Sequence, residues 1–432
     1  MQSRNLWLVI LTLVLALPVS RRALAQSAPA GSQASESAGR VELWTLVKEA
    51  LERNPEIPAA RRAIDAKRAR IPQAKAWPDP KVSFSYAGNA LPPLTLMRGD
   101  PSSARQIMAE QEIPYPGKTR LRGQMATKEA DAETLAYEGV WRRVVAEVKQ
   151  AYFDLGFVDQ SLATLRKDRD LLRKFEQVAE ARYSVGKAAQ QDAIKAQVEL
   201  SKLTERETVL EQTRQTLEAQ LNSLRDLPVE TPAPIATDLH ASALPYSLQE
   251  LESAAQSNFP ALKQQRTMVE ANGIAVDLAR RELRPDFSLG YAYMQRTALP
   301  DMKGLTFSIT LPVFHRNKQD QAIAEAAADL DASRRMEENE LTTLRYRVKQ
   351  EYLAVQAADT LMQLYSKGIV SQSSLALESS LAGYEVGTLD FLSVLSNFTS
   401  VLDYELAYHM QVAEHEKALA RMEELTALDL IH

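Results

Sequence analysis

The chain carries few side chains arranged for chemistry. Its five histidines, His240, His315, His409, His415 and His432, never stand four apart on a shared helical face, and there is no cysteine. A zinc site needs convergent nitrogen or sulfur ligands at short spacings, so no metal ion or other cofactor is expected. Met294 and Met302 offer thioethers that a soft metal could use, but in strand-like sequence they are expected to face lipid or to fill a loop. No glycine-rich phosphate loop, nucleophile elbow or local His/Asp/Ser set is present, so the chain is not expected to be an enzyme. What recurs is a four-residue step, Tyr183-Ser184-Val185-Gly186 and again Tyr384-Glu385-Val386-Gly387. Glycine just past a helix ends it at little cost, because it adopts the left-handed conformation without a Cβ clash. Each step reads as a helix stop.

The helices that end there are long. Between Thr119 and Ala181 there is no proline, and Trp141, Val144, Val148, Ala151, Leu155, Val158, Leu162 and Leu165 follow an unbroken three-four spacing. The same spacing gives Leu341, Leu344, Val348, Glu351, Val355, Ala358, Met362 and Tyr365. Sustained heptads predict coiled-coil packing, and roughly 65 residues at 1.5 Å each make a helix of about 95 Å. A returning apolar series follows each stop, so two long antiparallel hairpins are expected, over about 119–225 and 318–428. Their charged stretches, such as Arg166-Lys167-Asp168-Arg169-Asp170, read as solvated surface. Glu207, Glu351 and Glu405, at or near seam positions, could line an aqueous lumen or be tolerated on a wet interior stripe.

The hairpins belong to a larger duplication. Asn54-Pro55-Glu56-Ile57 and Pro80-Lys81-Val82 return as Phe259-Pro260-Ala261-Leu262 and Pro285-Asp286-Phe287, displaced by 205 positions. Val148-Lys149-Gln150-Ala151-Tyr152 returns as Val348-Lys349-Gln350-Glu351-Tyr352, displaced by 200, and the Tyr-x-Val-Gly step by 201. Repeats of this length predict a pseudo-symmetric assembly. Repeat 1 is expected over 41–225, a link over 226–246, and repeat 2 over 247–428.

Each repeat opens with a short helix pair and then changes period. Val82 to Ala87, Phe287 to Tyr293 and Thr306 to Leu311 alternate apolar with small or polar residues, and Gln106 to Ile113 does so more weakly. This predicts strands at about 81–88, 105–113, 286–294 and 304–313. Alternation with aromatics suits a membrane barrel. Four strands cannot close one, and open edges are not tolerated in lipid. Three copies would supply twelve.

Bulk properties agree. With 51 basic and 56 acidic residues the net charge is −5, which gives no reason to expect nucleic acid. Glycine numbers only 15 and aromatics 6%, a composition of long helices. Arg4, the apolar run Leu6 to Val19 and Ala23-Leu24-Ala25 read as a secretory signal over 1–25, and residues 26–40 as a disordered start. Without cysteine no lipidated N-terminal Cys is expected, and no later run is apolar enough for a membrane helix.

Signal, helix pair, strand pair, long hairpin and Tyr-x-Val-Gly turn, in this order and duplicated, closely resemble the TolC-like outer-membrane efflux family over about 41–425. Glu112-Ile113-Pro114-Tyr115-Pro116-Gly117-Lys118 and Thr310-Leu311-Pro312-Val313-Phe314 look like the family's strand-to-hairpin motif. Tyr293-Met294-Gln295-Arg296 and Leu299-Pro300-Asp301 look most like its heavy-metal-efflux branch. The resemblance implies a mainly α fold with a membrane β-barrel portion: a homotrimer with a twelve-stranded barrel on an α-helical tunnel. It implies the outer membrane of a Gram-negative bacterium, contact with outer-membrane lipid, and a passive duct opened at its periplasmic tips by an adaptor protein. An inner-membrane transporter of RND type would supply the energy. Carried over, Tyr183, Gly186, Tyr384 and Gly387 become turn and adaptor-docking residues, and Asp192, Tyr384 and Asp390 gate candidates, with Asp192 within hydrogen-bonding reach of Tyr384. Leu389 stands where the family's best-known member has a gate-locking basic residue, and Ser393 and Ser396 where it has aspartates. A periplasmic adaptor, which usually has one hairpin and glycine-rich β-domains, and a purely structural periplasmic coiled coil remain the alternatives.

Overall fold

A computed structural model describes residues 43–88, 96, 103–232, 239–296 and 299–431. The expected signal and disordered start lie outside the described residues, as does part of the link. The element order helix pair, strand pair, long hairpin occurs twice. First come α1 (Leu43–Arg53), α2 (Glu56–Lys75), β1 (Lys81–Ala87), β2 (Ala104–Ile113), α3 (Lys118–Ser184) and α4 (Gln190–Leu224). Then follow α5 (Leu248–Asn258), α6 (Pro260–Arg281), β3 (Asp286–Arg296), β4 (Met302–Thr310), α7 (Gln319–Leu364), α8 (Val370–Val386) and α9 (Phe391–Thr426).

The heptad spacing becomes a buried seam. Val144, Val148, Ala151, Leu155, Val158, Leu162 and Leu165 of α3 are all buried, since helix residues three and four apart share one face. One core gathers the middle of α3 with α1, α5, α7 and the end of α9. A second core, around Leu172, Phe175, Leu203, Phe391 and Phe398, holds the hairpin ends together. Asp168 lies in this seam, only 5% exposed, so the expectation of a solvated surface fails there: its position is on the apolar stripe, not beside it. Glu207 and Glu351 are taken up by packing as well. Glu351 accepts from Arg421 at 2.8 Å and Glu207 from Arg166 at 3.1 Å.

The second hairpin differs from the first by one local device. Where α3 runs unbroken for 67 residues, α7 and α8 are joined by a π-helical turn, Tyr365–Ile369. The wider turn accommodates one extra residue inside a helix. It falls between Tyr352, displaced by 200 from Tyr152, and Tyr384, displaced by 201 from Tyr183. Leu162 and Met362, 200 apart and before it, are both buried, as are Ala179 and Ser380, 201 apart and after it, whereas the buried Leu172 and Phe175 correspond at 201 to the half-buried Ser373 and the exposed Ala376.

The four strands form one antiparallel sheet in chain order. Among the described residues, β1 and β4 have no strand on their outer sides. Register sorts the side chains by face. Phe84, Ile107, Tyr293 and Lys303 stand in one row, and Ala109, Tyr291 and Leu305 in the next. With Val82, Leu289, Phe307 and Ile309 they make one face mostly apolar, and these residues are exposed. Ser83, Gln106, Glu110, Ser288, Gly290, Ala292, Thr306 and Ser308 alternate onto the other. Met294 and Met302 lie on this polar face, which corrects the expectation of lipid contact or loop filling: both have the parity of Gly290, not of Tyr291.

The joint between sheet and helices is ionic. Lys118, at the start of α3 and 1% exposed, donates to the Arg284 carbonyl at 3.0 Å and to Asp286 Oδ2 at 2.8 Å, and pairs with Glu282 at 2.9 Å. Asp286 also accepts from the Tyr115 N–H at 2.6 Å. A buried ammonium is tolerable when all three protons find acceptors. Lys118 thereby fastens the first hairpin to the strand pair of the second half.

Candidate functional site: the hairpin tips

Both helix stops have the same backbone. Gly186 has φ +69° and Gly387 φ +84°. At the first tip Gly186 N–H donates to the Tyr183 carbonyl at 2.9 Å and Lys187 N–H to Arg182 at 2.8 Å. At the second, Gly387 donates to Tyr384 at 3.0 Å and Thr388 to Gly383 at 2.9 Å. These are the paired bonds of a Schellman motif, which satisfy the last carbonyls of a helix and require a left-handed residue.

The side chains on these turns diverge. Tyr183 is 47% exposed, whereas Tyr384 is 5% exposed. Tyr384 packs against Phe391 of α9, ring centroids 5.4 Å apart. Arg182 of α3 lies over the ring, the guanidinium carbon 4.5 Å from the ring centroid, and donates to the Tyr384 carbonyl. Cation–π contact and a bond to a helix C-terminal carbonyl favour the same placement. Arg182 so links the two tips of one chain. Sequence reasoning missed it; the available signal was a basic residue in the last turn of α3 where the other half has Gly383. That glycine matters too, since a Cβ there would lie 2.7 Å from Leu389 Cδ1. Leu389 thus folds over the turn, and no basic side chain occupies its place.

The gate candidates are only partly brought together. Asp192 sits in the first turn of α4; burial raises its pKa, the Asp390 charge adds to this, and Lys195 and Arg182 oppose it. The expected hydrogen bond to Tyr384 is not made: the buried Tyr384 hydroxyl has no partner among the described residues. Burial, and then the Asp192 charge, push the Tyr384 pKa up, so the two groups sense one another without bonding. Asp390 is used locally. It caps α9, accepting from the Ser393 N–H at 2.9 Å, and this contact holds its carboxyl below the usual range. Among the described residues no group of three or more His, Cys, Asp or Glu could hold a metal ion. No described helix is long and apolar enough to cross a membrane.

The family model described as "Outer membrane efflux protein" matches residues 46–225, from α1 to the end of α4. Over that stretch the chain is similar to the outer membrane efflux protein family. The cobalt-zinc-cadmium resistance protein CzcC of Cupriavidus metallidurans is 24% identical over 383 residues, covering 86% of this chain and 87% of that protein. The fold resembles VceC, an outer membrane protein of Vibrio cholerae, with TM-score 0.75 and 16% identity over 89% of this chain and 95% of that one. It also resembles the open state of the MtrE outer membrane channel of Neisseria gonorrhoeae, with TM-score 0.73 and 17% identity over 91% and 93%.

Proposed function

We propose that three copies of this chain form one passive export duct, with a twelve-stranded barrel in the outer membrane and a tunnel of helical hairpins below it. The carrying observation is the four-stranded sheet with one largely apolar, exposed face and two unpaired edges. Backbone groups on such edges cannot remain unsatisfied in hydrocarbon, and β4 of one copy beside β1 of the next would pair them. Apolar residues left exposed on the hairpins support the same reading: Ile194 and Val198 on α4, Leu353 and Leu364 on α7, Leu375 on α8. Neighbouring hairpins would cover them.

The two halves are read as copies of one unit, with the one-residue offset absorbed by the π-turn. The tips at Tyr183–Gly186 and Tyr384–Gly387 would be the periplasmic mouth, met by an adaptor and fed by an inner-membrane transporter of RND type. Asp192, Tyr384 and Asp390 would line the constriction; the unpartnered Tyr384 hydroxyl leaves a donor for a neighbouring copy. The likeness to CzcC supports heavy-metal ions as the class of cargo. The chain supplies no energy in this scheme.

The decisive experiment is the protein mass after extraction, by light scattering with detergent subtracted, together with single-channel conductance in a planar bilayer. A trimer that needs detergent and conducts ions is the expected result. A monomer or dimer released without detergent overturns the proposal.

A further inference from the structure

The joint between sheet and helices is complete inside the chain and half-built at its outer edge. Inside, Glu282 just past the end of α6 is gripped by the start of α3, with Lys118 Nζ at 2.9 Å and Arg122 Nη2 at 2.8 Å. The displacement of 205 holds for Pro55 with Pro260 and for Pro80 with Pro285, which bracket this position, so Trp77 stands where Glu282 does. The displacement of 200 between Val148 and Val348 carries back along α3 and α7, both unbroken helices there. Lys318 and Ala322 therefore stand where Lys118 and Arg122 do, and the Ala322 N–H donates to the Lys318 carbonyl at 2.9 Å, in phase with the helix. Within one chain these three do not meet. Trp77 precedes β1 and Lys318 follows β4, the outer strands of the sheet, about 14 Å apart at ~4.8 Å per strand. Trp77 is left 56% exposed. Lys318 and Ala322 line a cavity of about 450 Å³ with Leu311, Pro312, Val313 and Gln319. Gln319 Oε1 is buried and has no hydrogen-bond partner among the described residues.

We propose that Trp77 of one copy fills this cavity on the next, so that the joint between copies repeats the joint inside the chain with an aromatic plug in place of an ionic one. The inference rests on the pairing of β4 with β1 of the next copy proposed above. Antiparallel pairing sets the start of β1 against the end of β4, which brings Trp77 to the cavity. The residue exchanges compensate one another. The inner joint holds a carboxylate between a lysine and an arginine, and the outer one an indole between a lysine and an alanine. The bulkier side chain enters where the long one is missing. An indole face offers the Lys318 ammonium a cation–π contact in place of the carboxylate, and its N–H is the donor that the Gln319 oxygen lacks. The surrounding charges fit. Of those lining the cavity, Glu282 and Asp286 are engaged by Lys118, which leaves Lys318 and Arg284 for Asp79, two residues beyond Trp77. Lys81 stands where Asp286 does, and it has Glu110 of β2 as its direct cross-strand partner.

The test uses the full-length protein in detergent, with trimer dissociation on heating followed by light scattering and secondary structure by circular dichroism. Trp77→Glu should lower the dissociation temperature by several degrees. Ala322→Arg, which closes the cavity against the indole, should do the same. Combining the two rebuilds the arrangement of Lys118, Glu282 and Arg122 between copies and should recover most of the loss. Trp77 is exposed and Ala322 half-buried in the single chain, so circular dichroism should stay unchanged throughout. The chain has no cysteine, which permits an independent measurement. With Trp77→Cys and Ala322→Cys together, a short bifunctional thiol reagent should join copies into covalent dimers and trimers, whereas either cysteine alone should not. Undiminished trimer stability in the single variants, additive losses in the double variant, or no cross-linking within an intact trimer would each overturn the proposal, as expected of a tryptophan that faces lipid. Any of these with a conducting trimer in hand leaves the duct standing. A wild-type protein that forms no trimer overturns the duct, and this contact with it.

Discussion

The two hairpins repeat one plan and solve it differently. The first has an unbroken α3 with a buried carboxylate, Asp168, in its seam and an exposed tyrosine at its tip. The second carries a π-turn near the corresponding point and buries its tip tyrosine beneath Arg182. Identical turn motifs thus end helices in different surroundings. The backbone motif decides where a helix stops, and the neighbouring element decides what the stop can do. α3 packs between α4 and α9, so Arg182 at its end reaches the second tip, whereas Tyr183 is left about half exposed.

The sharpest way to break the comparison is to remove one residue from each hairpin. Deleting Asp168 rotates everything beyond it by about 100°, taking Leu172, Phe175 and Ala179 out of the core. Each large apolar side chain so exposed forfeits about 1.5–3 kcal/mol, and a total loss above ~5 kcal/mol should leave no folded protein in a detergent thermal melt. Deleting Gly368 from the π-turn should instead convert it to regular α-helix and leave the melting midpoint within a few degrees. Equal damage from both deletions would refute the view that the π-turn absorbs an extra residue.

Substitution at the two stops comes next. Gly387→Ala and Gly186→Ala should each lose about 1–2 kcal/mol from the positive φ. The two should cost about the same, because a Cβ at Gly387 would meet Arg182 Nη2 at 3.5 Å, an ordinary contact, and one at Gly186 would meet nothing within 4 Å. Chemical denaturation of the pair checks this, and a clearly larger loss at either tip would show that its surroundings, not the backbone, set the cost.

The buried acid of the first hairpin gives a pH effect that Glu424 of α9, likewise raised by burial, shares in direction. Burial pushes the Asp168 pKa up to about 6, and the Glu405 charge adds to this. The folded state therefore holds this proton more tightly than the unfolded state, where the pKa is near 4. Stability from this group is greatest below about pH 4, falls as pH rises through about 4–6, and is lost above that. Asp168→Asn should flatten this dependence and raise stability at pH 7 by about 1–2 kcal/mol, discounted for partial solvation. Unchanged melting profiles between pH 4.5 and 7 in both proteins would contradict the assignment.

The smallest effects concern the two tyrosines. Tyr384→Phe removes a buried hydroxyl without a partner, so the isolated chain should change by less than ~0.5 kcal/mol or gain slightly. If a neighbouring copy uses that hydroxyl at the mouth, conductance should rise while stability stays level. Tyr183→Phe, at an exposed position, should alter neither. Equal conductance changes at both would erase the distinction between the tips.

Much of the architecture was legible before any coordinates. The seam from Val144 to Leu165 is visible because a three-four spacing has one structural meaning when it persists. The stops at Gly186 and Gly387 are visible because left-handed backbone favours glycine, and the strands because alternation and aromatic content coincide. The site was less legible. Asp192 and Tyr384 were expected to bond and do not, because their separation depends on how α4 and α8 dock on their neighbours. Arg182 was missed, since no local rule says that a lysine- and arginine-rich helix end will send one side chain onto another hairpin. Asp168 looked solvated within a run of charges, and its position on the buried stripe outweighed the composition around it.

The sequence by itself determined the periods: where helices run and stop, where the chain switches to strands, and that the plan occurs twice. These are local quantities, set by φ/ψ preference and by which residues share a face. Tertiary structure alone decided which partners those faces meet. It placed Lys118 against Glu282 and Asp286 from the other half, and brought Arg182 from the end of α3 onto the Tyr384 turn. Such contacts join residues more than a hundred positions apart in several cases, and their geometry depends on strand register and helix docking, which no window along the chain contains.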